Sequence, residues 1–174
     1  LDFNMDAPRV IKLNHQADER GFFQKVLNTD SFEKLDLLIE IKEAFYTYSK
    51  KGVLRGMHFQ IPPFDHAKLI TVVSGEILDV VVDIRSKSPD YGKVYSYSLN
   101  TNTGSLYVPS GFAHGFYAVT DSLVLYNVDC GYSQEHDMGI SWDSIGYKWP
   151  DETPILSKRD QSFMPIKRYE SHFK

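Results

Sequence analysis

KLITVVSGEILDVVVDI, residues 68–84, reads as two β-rich runs, KLITVV (68–73) and EILDVVVDI (76–84), separated by Ser74-Gly75. Branched apolar residues fill both runs, and a Ser-Gly pair is turn chemistry. Alternation in the second run puts Ile77, Asp79, Val81 and Asp83 on one face and Leu78, Val80 and Val82 on the other. Two carboxylates on an otherwise apolar face are expensive unless each finds a partner. Outward from this stretch the same texture continues. Upstream lie RVIKLN (9–14), FFQKVLN (22–28), EIKEAFYTYS (40–49) and VLRGMHFQ (53–60); downstream lie KVYSYSL (93–99), SLYVPS (105–110), HGFYAV (114–119) and LVLYNVDCGY (123–132). The breakers between them are IPPFD (61–65), SPDYG (88–92), NTNTG (100–104) and TDS (120–122). Strands at a spacing of roughly 8–12 residues point to an all-β sandwich or barrel. DSFEKLD (30–36) is expected to be a short peripheral helix, with Asp30 as N-cap and Glu33 three residues on. From about Trp142 the tail is irregular, with room for a final helical turn.

With 174 residues the chain is the size of one domain, and a single domain over 1–174 is expected. A net charge of −4 offers no basic field for nucleic acid or an anionic membrane surface. The one cysteine, Cys130, rules out an intrachain disulfide framework and fits a reducing, cytoplasmic setting. No apolar run is long enough to span a bilayer. LDFNMDAPRV (1–10) lacks a basic stretch followed by an apolar one, so no signal peptide is expected.

Two histidine-bearing blocks carry the chemistry: GVLRGMHFQ (52–60) and VPSGFAHGF (108–116). His58 is either a hydrogen-bonded core histidine or a general base, because imidazole titrates near neutrality. Arg55 nearby favours the second reading, as a forked donor for phosphate or carboxylate. Arg55 and His58 are three apart and point oppositely in a regular strand; a bulge at Gly56 would bring both into one cavity. Phe112, His114 and Phe116 share a face if their stretch is extended. Lys68 reads as an edge-strand charge or as a cation for a developing enolate. Tyr126 is by default a core tyrosine and otherwise a general acid. Asp160, in LSKRD (156–160), is by default a solvated loop carboxylate.

GSLYVPSGFAH (104–114) resembles the second cupin motif, which delivers a histidine into a jelly-roll barrel. The first motif normally supplies His-x-His and a glutamate to a metal; here the corresponding place reads His58-Phe59-Gln60. His58, Gln60 and His114 make a poor ligand set, so no metal is expected. The chain as a whole resembles the dTDP-4-dehydrorhamnose 3,5-epimerase family. The blocks are DERGFFQ (18–24), GVLRGMHFQ, AKLITVVSGEILDVVVDIRSKSPDYGK (67–93), VPSGFAHGF, the pattern at Tyr126 and Tyr132, GISWD (139–143) and LSKRD.

The resemblance implies a cupin-type double-stranded β-helix with short peripheral helices. It also implies a cofactor-free reaction that inverts stereocentres beside the 4-keto group of a nucleotide sugar. His58 would be the base, oriented by Asp160; Lys68 would polarise the 4-keto oxygen; Tyr126 would be the acid on the opposite face. Arg20 and Arg55 would hold the pyrophosphate, and Gln60, His114 and Tyr132 would line the sugar pocket. A homodimer is implied, in which the N-terminal strand completes the partner's site through Phe23 and Lys25. Physical chemistry agrees: a 4-keto group acidifies the C3 and C5 hydrogens by delocalising the carbanion onto oxygen. No redox step occurs, and no glycine-rich dinucleotide fingerprint is present.

Four positions depart from the family. It commonly has glutamate where this chain has Lys25, and Gln-Asp-Asn where this chain has Glu43-Ala44-Phe45. Those family positions recognise thymine, so the expectation is retained catalysis with a CDP- or GDP-linked sugar standing beside the dTDP-linked one. C3, C5 or both could be inverted; the His58, Asp160 and Tyr126 set favours both. Two other classes compete, a metal-dependent cupin oxygenase and a non-catalytic sugar-binding cupin.

Overall fold

A computed structural model of the chain describes residues 7–34, 37 and 39–174. The expected all-β jelly roll is what forms. One antiparallel sheet has the order β1 (Arg9–Ile11), β9 (Ser105–Val108), β6 (Lys68–Ser74), β11 (Ser122–Val128), β4 (Glu43–Ser49). The other runs β12 (Asp137–Gly139), β5 (Leu54–Gln60), β10 (Phe112–Ala118), β7 (Glu76–Asp83), β8 (Val94–Asn100). A separate hairpin pairs β2 (His15–Asp18) with β3 (Gly21–Gln24). The peripheral helices are α1 (Thr29–Glu33) and α2 (Lys158–Gln161), with 3-10 turns at Trp142–Ser144 and Ile166–Arg168.

The Ser74-Gly75 break is a corner between sheets, since β6 belongs to the first and β7 to the second. Gly75 has φ +86°, and a Cβ there would lie 2.2 Å from the Asp121 carbonyl oxygen. Only glycine fits so tight a corner. Between the sheets Ile70, Val72, Leu106 and Val124 meet Ile77, Val81, Leu99 and Phe116, all buried. The opposite face of the second sheet, with Leu54, Met57, Val80 and Val82, is covered by Trp149, Tyr169 and Phe173 of the tail. The tail is therefore irregular in backbone yet closes a second core. Strands covered on both faces read as unbroken apolar runs, which explains why all of β10 is buried.

The alternation in β7 holds, and both carboxylates find partners. Asp79 faces His114 at 2.7 Å, and Asp83 accepts from Arg85 Nη2 at 2.6 Å and Ser88 Oγ at 2.7 Å.

Several boundaries differ from expectation. The run 22–28 is strand only to Gln24 because the chain then turns into α1. The first helical bond runs from Phe32 N–H to the Asn28 carbonyl, 3.1 Å, so Asp30 sits inside the first turn and does not cap the helix. Leu35 and Asp36 of the expected helix lie outside the described residues.

Candidate active site

A cavity of about 370 Å³ opens between the two sheets. Arg55 and His58 both line it because the β5–β10 register slips: His114 faces His58 while Phe116 faces Arg55, two steps against three. The extra residue is accommodated at Gly56, with φ +139° and Gly115 Cα only 2.5 Å from where a Cβ would stand. Glycine there is what turns two side chains three apart to the same side. Met57 between them goes to the tail-covered core.

His58 Nε2 meets Asp160 Oδ1 at 2.7 Å. A carboxylate can only accept, so Nε2 carries the proton and Nδ1 is the bare nitrogen. Asp160 is buried on α2, not solvated on a loop, and its Oδ2 also accepts from Gly56 N–H at 3.2 Å. Burial alone would push this carboxyl up; the bonds from His58, Gly56 and Ser157 outweigh it and hold the group below the usual carboxylate range. Ser157 also caps α2, accepting from Asp160 N–H at 3.0 Å. Phe163 presents its ring to the imidazole, 5.7 Å between centroids.

Lys68 begins the middle strand of its sheet, so the edge-strand reading fails. It is 8% exposed and donates to the His58 carbonyl at 3.2 Å. Burial lowers the ammonium to about 8, against the opposing pull of Asp79 and Asp137. Tyr126 comes from β11 on the wall facing β5; Phe45 stacks on it at 4.8 Å and 11°, and His114 meets it edge-on. Burial, then Asp79, raises the phenol well above its usual range, while the Thr47 hydroxyl and Arg55 pull the other way. The group is held protonated. In the His114–Asp79 pair, burial pushes the imidazolium down and the carboxyl up.

Arg55 is braced by Ser49 Oγ (2.9 Å) and the Tyr48 carbonyl (3.1 Å), which leaves Nη1 for a ligand. Glu43 and Tyr132 stand at the mouth, joined by Tyr132 N–H donating to Glu43 Oε2 at 3.0 Å. Gln60 borders the cavity, but its amide is spent on protein: Oε1 accepts from Ser133 N–H at 2.6 Å, and Nε2 donates to the Phe64 and Gly131 carbonyls. Arg20, Phe23 and Lys25 are not brought to this cavity. They lie on or just after the β2–β3 hairpin, with Arg20 paired to Asp18 and Phe23 exposed.

The sequence reading passed over four groups on the wall: His66, Thr47, and the ion pair of Arg159 with Asp137 at 2.7 Å. Arg159 adjoins Asp160 and could have been found by that adjacency; His66, in a proline-rich loop, carries no local signal. Among the described residues, no three His, Cys, Asp or Glu side chains are placed to share a metal ion. No helix among them is long and apolar enough to cross a membrane.

A family model described as dTDP-4-dehydrorhamnose 3,5-epimerase matches residues 3–168. The chain belongs to that family. The family's enzyme from Shigella flexneri is 40% identical over 149 residues, 83% of this chain and 82% of its own. The crystal structure of dTDP-4-dehydrorhamnose 3,5-epimerase from Sulfolobus tokodaii is similar with a TM-score of 0.91 and 36% identity, covering 100% of this chain and 97% of that one. A Legionella pneumophila dTDP-6-deoxy-D-glucose-3,5-epimerase in complex with dTDP-4-keto-L-rhamnose has a TM-score of 0.89 at 30% identity, covering 96% and 92%. The family's members are isomerases acting on nucleotide sugars.

Proposed function

We propose that this chain inverts C3, C5 or both of a nucleoside-diphosphate 4-keto-6-deoxy sugar, working without a cofactor as a cytoplasmic homodimer. The observation that carries the reading is the cavity itself. A carboxylate-oriented histidine stands on one wall, a protonated tyrosine on the facing wall, and a buried lysine in the same space.

His58 Nδ1 removes the proton beside the ketone, and the C–H bonding pair moves through the carbonyl carbon onto O4. Lys68 stabilises the enolate oxygen in a site with little water, where a cation counts for more than it would in bulk solvent. Tyr126 then delivers its hydroxyl proton to the opposite face of the same carbon, and exchange with solvent restores phenol and free imidazole. Arg55 offers Nη1 to the pyrophosphate, with His114, Gln60 and Tyr132 bordering the sugar. Arg20, Phe23 and Lys25, remote from this chain's own cavity, would reach the partner subunit's ligand.

At the mouth, Glu43 is a carboxylate that can only accept, beside the Phe45 ring. Guanine and cytosine present amino donors to such a group, whereas thymine offers a single N–H between two carbonyl acceptors. This favours GDP- or CDP-linked sugars over dTDP-linked ones.

The test is solvent exchange in D₂O with 4-keto-6-deoxy sugars carrying dTDP, CDP and GDP in turn, followed at C3 and C5 by NMR. Exchange is expected at one or both positions, fastest with GDP or CDP. Fastest exchange with dTDP overturns the base preference alone; no exchange with any of the three overturns the epimerase reading.

Lys68 also sets a pH limit. Its cation is the working form and is lost as pH rises through about 8, so turnover is expected to fall there. Lys68→Met should be slower and lack that limb; a wild-type profile with no fall near this pH would remove Lys68 from the charge-stabilising role.

A further inference from the structure

Among the described residues the imidazole of His58 makes one hydrogen bond, from Nε2 to Asp160 Oδ1 at 2.7 Å, and one ring contact, edge-on to Phe163 at 5.7 Å and 78°. The bond alone does not fix the ring. Nε2 lies nearly in line with the Cβ–Cγ bond, so a partner there resists rotation about that bond only weakly, and the χ2 minima of histidine are broad. That rotation is what swings Nδ1, the bare nitrogen, across the cavity.

Phe163 follows α2, and its place is fixed from several sides. The next residue, Met164, bridges Ile140 in parallel, and its carbonyl accepts from Ser141 N–H at 2.8 Å. The ring lies over Gly139, the cross-strand partner of His58 on β12. Cross-strand partners project to the same face, so a side chain at 139 would stand beside the imidazole. Glycine leaves that place vacant and Phe163 fills it: a Cβ on Gly139 would run into ring atoms Cε2 and Cζ. Arg159 rests on the same ring, 5.0 Å from its centroid, and is itself paired with Asp137 of β12 at 2.7 Å. Yet Phe163 belongs to none of the buried cores and does not line the cavity. A ring so placed reaches the chemistry through His58.

We propose that Phe163 is a positioning residue for the base: seated in the notch at Gly139, its ring stops the His58 imidazole from turning about Cβ–Cγ and keeps Nδ1 aimed at the hydrogen beside the ketone. Asp160 decides which nitrogen is bare, and Phe163 decides where it points. The two losses therefore differ. Without Asp160 the tautomer and its charge partner go; without Phe163 the right tautomer remains but is spread over ring orientations of which few are near attack.

This rests on the epimerase reading, and its test separates the two. Phe163→Ala is expected to slow C3/C5 deuterium exchange at saturating substrate by about 10- to 100-fold, the upper figure being the scale for a reacting group misplaced by about 1 Å. Phe163→Tyr, which keeps the ring, should recover most of the rate. Gly139→Ala pushes the ring from its seat without removing it and should also slow exchange. Combined with Phe163→Ala it should cost nothing further, because both changes act through one contact. Exchange in Phe163→Ala at the wild-type rate overturns the proposal, and so do losses that multiply in the double variant. Should Phe163→Ala not fold, Gly139→Ala carries the test, and exchange there at the wild-type rate overturns it. Absence of exchange in the wild type overturns the epimerase reading instead. Crystal structures of the ligand-free wild type and Phe163→Ala then still decide the contact: the His58 ring should be turned or spread about χ2 in the variant, and a ring left in the wild-type plane overturns the proposal.

Discussion

His58→Ala is expected to slow deuterium exchange at every position the wild type exchanges by about four orders of magnitude, the upper end of what a positioned general base supplies. The size follows from how completely the structure commits this side chain. Asp160 Oδ1 takes Nε2–H at 2.7 Å, so the lone pair on Nδ1 is directed, and Gly56 N–H and Ser157 keep the carboxylate charged behind it. That charge also stabilises the imidazolium that forms when the base takes its proton. On the same wall His114 spends Nε2 on Asp79 in full burial; Lys68, on the facing sheet, keeps its extra proton below about pH 8. Nucleotide affinity should be retained, because Arg55 is braced independently by Ser49 and the Tyr48 carbonyl. Exchange in His58→Ala within tenfold of wild type would assign the base elsewhere.

How much of this could be read in the chain depends on the range of the interaction. Strand alternation is local, so the faces of β7, the need of Asp79 and Asp83 for partners, and a bulge at Gly56 were all legible. The Ser74-Gly75 break was legible as a break but not as a corner, because the change of sheet depends on where β11 and β10 end up. Lys68 looked like an edge charge for the same reason; that β6 is the middle strand is decided by β9 and β11, far away in sequence. Asp160 is buried because a four-residue helix packs it against β5, about a hundred residues upstream. His66 was invisible. Its placement is set by two long-range contacts of its neighbours, Asp65 with Ser110 and Ala67 with Asp129, neither with a sequence signature. The tail closes the second core through three aromatics, Trp149, Tyr169 and Phe173, separated by irregular chain that carries no periodicity.

Two of the departures from the family are grouped in space. Glu43 and Phe45 are cross-strand neighbours of Val128 and Tyr126 on the inward face of β4. The substitution that alters the mouth, Glu43, thus lies two residues along the same strand from Phe45, which places an aromatic ring on the tyrosine. A stacked ring removes water from the phenol and helps hold its proton, while the acidic neighbour changes what the mouth accepts. Base choice and acid strength are coupled through one strand.

Tyr126→Phe should separate the two halves of the reaction. Proton removal belongs to His58 on the opposite wall and does not need the phenol, so solvent deuterium should still enter the substrate. With no acid on the far face, the deuteron can return only from the imidazolium, on the side from which the proton left. Exchange then proceeds with retention, and formation of the inverted sugar is expected to fall by about 10³-fold, within the range for losing a positioned general acid. The fold should tolerate the change, since Phe45 keeps its stacking partner and no volume is lost. The measurement is NMR of substrate and epimer in D₂O, reading label and configuration together. Inversion at the wild-type rate would mean that another group protonates the far face. Loss of both exchange and inversion would mean that Tyr126 acts before the enolate forms, and the division of labour between the two walls would be wrong.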